Sequence, residues 1–319
     1  MYQFRLAQFG KTVLKANWIA PLALGIALLG IASASILIAI AETEIKPNAI
    51  TCDRLLVAAI AFSTWNTVKA LNNSDGDRAS AQPYTVRAII LLLIAGISFA
   101  ISLSLWAWSL TQTSIANSTL LNNMMPIFTT LGGWLIFRQQ FSPRFLMGMV
   151  VAILGAIAIG IEDLQAAQSN LTGDGAALLA AMFSAISILS LEQLRVQFST
   201  SVIMQWTSLA GGLFILPLVL LAQDRLLPVS STGWWAIVGL GLISQAIGQG
   251  LLTYSLAKFS SGFVAVSMLS IPVIAAILAM LIFAEQLSLF NWIGFAIVLC
   301  GIYLAVSAKN NNLELSVEE

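Results

Sequence analysis

The second half of this chain repeats the first at a fixed offset of 146 residues, with Thr85 to Ile161 aligning without a gap on Ser231 to Ser307. The match pairs Ser109-Leu110 with Ser255-Leu256, Pro126 with Pro272, and Leu135-Ile136-Phe137 with Leu281-Ile282-Phe283. It continues through Ser142 with Ser288, Gly148 with Gly294, and Gly155 with Gly301. Self-similarity at a fixed period means two copies of one structural unit, so the element order of one half must recur in the other.

Those units are apolar. Charged residues make up 9% of the chain and hydrophobic residues 59%, which excludes an ordinary soluble domain. A bilayer core about 30 Å thick needs roughly 20 apolar residues per helix. Candidate spans are Trp18–Ala41, Thr51–Ala70, Arg87–Leu110, Ser114–Phe137, Phe145–Ile161, Asp174–Leu191, Ser201–Ala222, Trp234–Leu256, Gly262–Phe283 and Leu289–Ser307. None shows the apolar–polar alternation of a barrel strand. The sequence therefore predicts an all-α integral membrane protein with ten transmembrane helices.

Basic residues orient it. With the N-terminus in the cytoplasm, eleven of the 14 Lys and Arg side chains fall inside, and only Lys46, Arg54 and Arg225 fall outside. Five helices per repeat is an odd number, so the second repeat enters upside down and both termini are cytoplasmic. The expected division is a cytoplasmic segment 1–17, a first five-helix repeat 18–161, a second repeat 171–307 and a cytoplasmic tail 308–319. The polar stretch Leu71 to Val86 is expected to be irregular. A cleavable leader ending at Ala39-Ile40-Ala41 is disfavoured, because its apolar run far exceeds the usual 7–15 residues or so. Cys52 and Cys300 sit at different depths and are read as unpaired packing residues.

The repeated segments resemble the drug/metabolite transporter superfamily, specifically EamA-type ten-helix permeases. The second half carries Tyr254-Ser255-Leu256-Ala257-Lys258, Ser270-Ile271-Pro272-Val273 and Ala284-Glu285-Gln286-Leu287-Ser288, followed by Gly294 and Gly301. The first half carries Asp53-Arg54-Leu55-Leu56, Met125-Pro126-Ile127 and Arg138-Gln139-Gln140-Phe141-Ser142, and Leu171-Thr172-Gly173-Asp174 opens the second. The resemblance implies a membrane carrier, with export of amino acids or related metabolites as a common role. The turn glutamate is kept as Glu285 but is Gln139 in the first half, which argues against a symmetric, charge-dependent role for the two turns. Glu285 is read as a structural turn residue, with Ser288 as a helix N-cap.

Enzyme chemistry finds little foothold. The chain has no histidine, and no span holds two carboxylates, so the expectation is a non-enzyme without cofactor or metal. Net charge is zero, so nothing points to nucleic acid; the expected partners are the bilayer and a small-molecule substrate, and a homodimer is compatible with this. Every charged residue maps to a loop or lies within about two turns of a helix end. A multiply charged anion would need deeply placed Arg or Lys donors, so the favoured solute is neutral or zwitterionic. Asp53, Asp174 and Glu285 are the acids that could contradict this.

The candidate solute ligands are uncharged. Gln245 and Gln249 lie one turn apart, two amides on one stripe, with interhelical bonding as the alternative. Asn122 and Asn123 precede Pro126; Pro126 and Pro272 each free a backbone carbonyl and mark helix kinks. Ser98 and Ser102 are secondary candidates, with close helix packing as the favoured role. Trp108 and Tyr254 occupy equivalent positions and are candidate gates within an otherwise ordinary aromatic belt. Arg54 is expected to pair with Asp53 or Glu42, with a substrate carboxylate as the alternative. The expected function is efflux of a small neutral or zwitterionic metabolite by alternating access, in a bacterial inner membrane. A channel-like facilitator for a small solute or cation and a non-transporting membrane interaction protein remain alternatives.

Overall fold

The computed structural model describes residues 18–72, 84–113, 115–159, 170–283 and 287–307, and every regular element among them is helical. The N-terminal segment, most of the Leu71 to Val86 link, Glu285 and the tail lie outside the described residues. Among the described residues the helices group in order as follows. In the first half, α1 is Ile19–Ala41, α2 Pro47–Asn72, α3 Val86–Gln112, α4 the pieces Ile115–Asn122 and Met125–Phe137, and α5 Pro143–Ile159. In the second, α6 is Leu171–Arg195, α7 Thr200–Leu221, α8 Ser231–Ser255, α9 the pieces Ser261–Met268 and Ile271–Phe283, and α10 Leu289–Val306.

Eight of these are long and apolar enough to cross a membrane. The exceptions are α2, which carries Asp53, Arg54 and Lys69, and α5, which is apolar but only 17 residues, about 26 Å at the helical rise. Side-chain caps start several rods: the oxygens of Thr85, Asn170, Ser230, Ser260 and Ser288 each accept a first-turn N–H. Ser288 thus caps α10 as its spacing predicts, accepting from the Asn291 N–H at 3.2 Å.

Two glycine-lined crossings hold the rods close. α5 packs along α10, where a Cβ on Gly301 would stand 2.2 Å from the Ala152 nitrogen and one on Gly148 2.4 Å from the Ala305 nitrogen. α3 packs against α6 and α7. Ser102 Oγ donates to the Ala180 carbonyl at 2.8 Å and meets Ser184 Oγ at 2.6 Å, while Ser187 Oγ donates to the Ala95 carbonyl at 2.9 Å. In a bilayer such short contacts and interhelical hydrogen bonds replace the hydrophobic drive that water would supply.

The interruptions of α4 and α9 are equivalent. The Met124 N–H donates to the Leu121 carbonyl and the Ser270 N–H to the Ser267 carbonyl, both at 3.1 Å, so each break is a tightened turn rather than open chain. Just beyond, Pro126 and Pro272 have no N–H to offer the carbonyls of Asn122 and Met268. The repeats differ in α8, where Leu240–Gln249 is π-helical, while the equivalent stretch of α3 is ordinary α-helix.

One end of the bundle is tied across the repeats. Glu44, in the α1–α2 turn, accepts from the N–H groups of Val229 at 2.8 Å and Ser230 at 3.1 Å, and from the Ser230 hydroxyl; Lys46 reaches Asp224 at 2.6 Å. The Ser230 hydroxyl, then the two N–H donors, hold the Glu44 carboxyl below its ordinary value of 4.5. A carboxyl depressed in the folded state stabilises above its unfolded pKa and loses that contribution as pH falls through the folded one. The melting temperature of wild type minus that of Glu44→Gln should therefore be positive at neutral pH and shrink as pH drops below 4.5. Thermal melts of the detergent-purified pair across that range would check this, and a difference independent of pH would refute it.

Candidate functional site

A cavity of about 330 Å³ lies between the two halves, walled by α1, α3, α4, α6, α8 and α9 and by Arg54 of α2. Positions related by the repeat face it in pairs: Leu103 with Gln249, Thr119 with Ala265, Asn122 with Met268, Asn123 with Leu269, Met125 with Ile271, and Pro126 with Pro272. On the α4 side the wall is polar, with Thr119, Asn122 and Asn123; on the α9 side their counterparts are apolar. The space suits a solute with a polar end and an apolar end.

Of the residues singled out from sequence, Gln249, Asn122, Asn123, Ser102, Pro126 and Pro272 line this cavity. Asn122 Oδ1 and Gln249 Oε1 are buried without a hydrogen-bond partner, and so is the indole nitrogen of Trp106, another wall residue. Ser102 lines the wall while its hydroxyl is spent on Ala180 and Ser184, and Ser98 is buried away from the cavity. Trp108 and Tyr254 stand apart from it, 48% and 37% exposed; it is Trp106, two residues from Trp108, that turns inward. Gln139 sits at the far end of α4, where its amide donates to both oxygens of the Glu192 carboxylate at 3.1 and 3.2 Å.

The main departure from expectation is Arg54. It pairs with neither Asp53 nor Glu42: its Nη2 donates to Gln245 Oε1 at 2.9 Å and to Ser244 Oγ at 3.4 Å, both on the π-helical stretch of α8. The side chain is 5% exposed and forms no ion pair among the described residues, and its Nε has no acceptor. Gln245, 2% exposed, accordingly stands behind Arg54 instead of on the cavity wall. The cavity wall thus includes a cation beside the uncharged candidate ligands. The expected pairing with Asp53 or Glu42 is absent among the described residues, and a charge two turns into a helix is the sequence signal for the placement found.

A second cavity of about 190 Å³ shares Ser35, Ile38, Arg54, Leu103 and Trp106 with the first and runs on to Glu42, at the end of the bundle bearing the α1–α2 turn. Arg54 and Trp106 therefore stand where this vestibule meets the central space. Asp53 is buried and borders neither cavity, and Asp174 accepts a hydrogen bond from Thr113 at 2.7 Å. No cluster of metal-ligating side chains occurs among the described residues.

Apolar rods around a central cavity define an integral membrane protein of the helical-bundle class. Residues 17–161 and 171–307 each match the EamA-like transporter family, and the chain belongs to that family, within the drug/metabolite transporter superfamily. An uncharacterized transporter of Methanothermobacter thermautotrophicus is 26% identical over 68% of this chain and 64% of its own length. The pseudopaline exporter CntI of Pseudomonas aeruginosa is 24% identical over 57% of this chain and 62% of its own length. The chain thus spans somewhat less than two thirds of either relative. A solved crystal structure shares the fold with a TM-score of 0.75 at 16% identity, covering 91% of this chain and 98% of that one.

Proposed function

We propose that this protein is a carrier that exports a small neutral or zwitterionic metabolite, such as an amino acid, by alternating access between two inverted five-helix repeats. Both termini face the cytoplasm of a bacterial cell, and the bundle sits in the inner membrane. The observation that carries this is the cavity faced by equivalent residues of both halves, because alternating access requires a site that each repeat can close from its own side. Efflux is supported by a relative with a stated direction, the pseudopaline exporter. The polar groups of Asn122, Asn123 and Gln249 would hold the solute's polar end, with Met268 and Leu269 against its apolar end.

Counterflow in proteoliposomes, loaded with a mixed set of amino acids and neutral metabolites and read by mass spectrometry, tests this. Wild type should exchange one compound class with saturation. Asn122→Ala should lower that exchange about tenfold, the equivalent of one buried hydrogen bond. Flux that neither saturates nor shows counterflow would instead favour a channel.

A further inference from the structure

We infer that Arg54 is the residue that selects the solute, by binding a carboxylate, and that Gln245 and Ser244 are positioning residues that aim it. This rests on the cavity being the transport site. A guanidinium has five N–H donors in a planar fork, and here only Nη2 is engaged, by a neutral amide and a hydroxyl. Nε is buried with no acceptor, and no described carboxylate pairs with the side chain. Removing a cation from water without an anion is unfavourable, so a buried guanidinium with unused donors favours a solute that brings the anion. A carboxylate is that group: its two oxygens match the fork with parallel charge-assisted hydrogen bonds.

The surroundings agree. Arg54 borders both the central cavity and the vestibule, so a carboxylate entering from either space can reach it. Trp106, also common to both, has an indole N–H with no acceptor and adds a second donor on the same side. The free oxygens of Asn122 and Gln249 accept hydrogen bonds from whatever donor the solute carries elsewhere. These amides tolerate an ammonium group or an acylated nitrogen; Arg54 does not tolerate the loss of the carboxylate.

The test uses four pools built on the same set of amino-acid side chains: free amino acids, their N-acetyl derivatives, their amides and their N-acetyl amides. Retention of each pool on the purified full-length protein is measured by mass spectrometry, and exchange is measured in proteoliposomes. Wild type should retain compounds from the two carboxylate-bearing pools. Arg54→Gln should weaken that retention at least about tenfold, the loss of a charge-assisted pair, without weakening retention of either amide pool. Arg54→Lys, which keeps the charge without the fork, guards against a folding artefact and should retain carboxylates more weakly than wild type but better than Arg54→Gln. Equal retention of acids and amides, an unchanged preference in Arg54→Gln, or no retention from any pool overturns the assignment. Carboxylate retention that depends on Arg54 without exchange in liposomes would sustain the anchor and remove the carrier reading instead.

Discussion

Alanine at Gly301 should sharply destabilise the fold, although it adds a single methyl group. That methyl carbon would sit 2.2 Å from the Ala152 nitrogen and 2.6 Å from its Cα, where no rotamer change can make room because the obstacle is backbone. α5 and α10 would have to separate along their length, giving up the close packing that substitutes for hydrophobic drive in lipid. Overpacking typically costs about 1–3 kcal/mol, and a backbone obstacle places this case at or above the top of that range. Gly25→Ala is the matched control. Nothing lies within 4 Å of the Cβ position there, so that variant should melt like wild type or slightly higher. Melting curves and size-exclusion profiles of the two proteins in one detergent decide the matter; equal stability would mean that α5 and α10 are not held together this tightly.

The second large effect is expected at Gln245. Gln245→Glu should leave the protein folded and abolish carboxylate retention, because the new acid, held 2.9 Å from Arg54 Nη2, supplies from within the protein the anion that a solute would otherwise bring. Gln245→Leu should act differently. It strips Arg54 of its best acceptor, leaving Ser244 at 3.4 Å, and should lower stability by about 1.5–3 kcal/mol, the usual size of a hydrogen bond to a charged group. Solute binding would then fall because the guanidinium is no longer aimed. Retention assays and melts on the two variants separate these outcomes. A Gln245→Glu protein that still prefers acids over amides would contradict the role given to Arg54.

Much of this arrangement could be read from the residues, and what could not has a common physical cause. The repeat offset points to equivalent breaks near Pro126 and Pro272, because both depend on local sequence that the two halves share. Asn122, Asn123 and Gln249 were found as uncharged polar groups far from helix ends. Arg54 is legible as a charge near a helix end, but its neighbours in sequence point to Asp53 or Glu42, where the structure gives it Gln245 and Ser244. Which way a side chain near a helix end points is fixed by rotation of the whole rod, and α2 is set by its packing against α7 and α8, which no local pattern records. The π-helical turn that brings Ser244 and Gln245 to Arg54 left no mark in the sequence either. Trp106 was lost among the nine tryptophans, since a belt residue and a wall residue two positions apart have the same composition and differ only in face.

The facing pairs along the cavity also bear on how its two walls can vary. Thr85 to Ile161 and Ser231 to Ser307 align without a gap, so Asn122 and Met268, or Asn123 and Leu269, hold equivalent positions in two copies of one unit. Because both copies lie on one chain, a substitution in one wall leaves the other wall as it was. Two copies with identical sequences would line the space with the same residues twice. Two unequal copies give one binding space a polar side and an oily side.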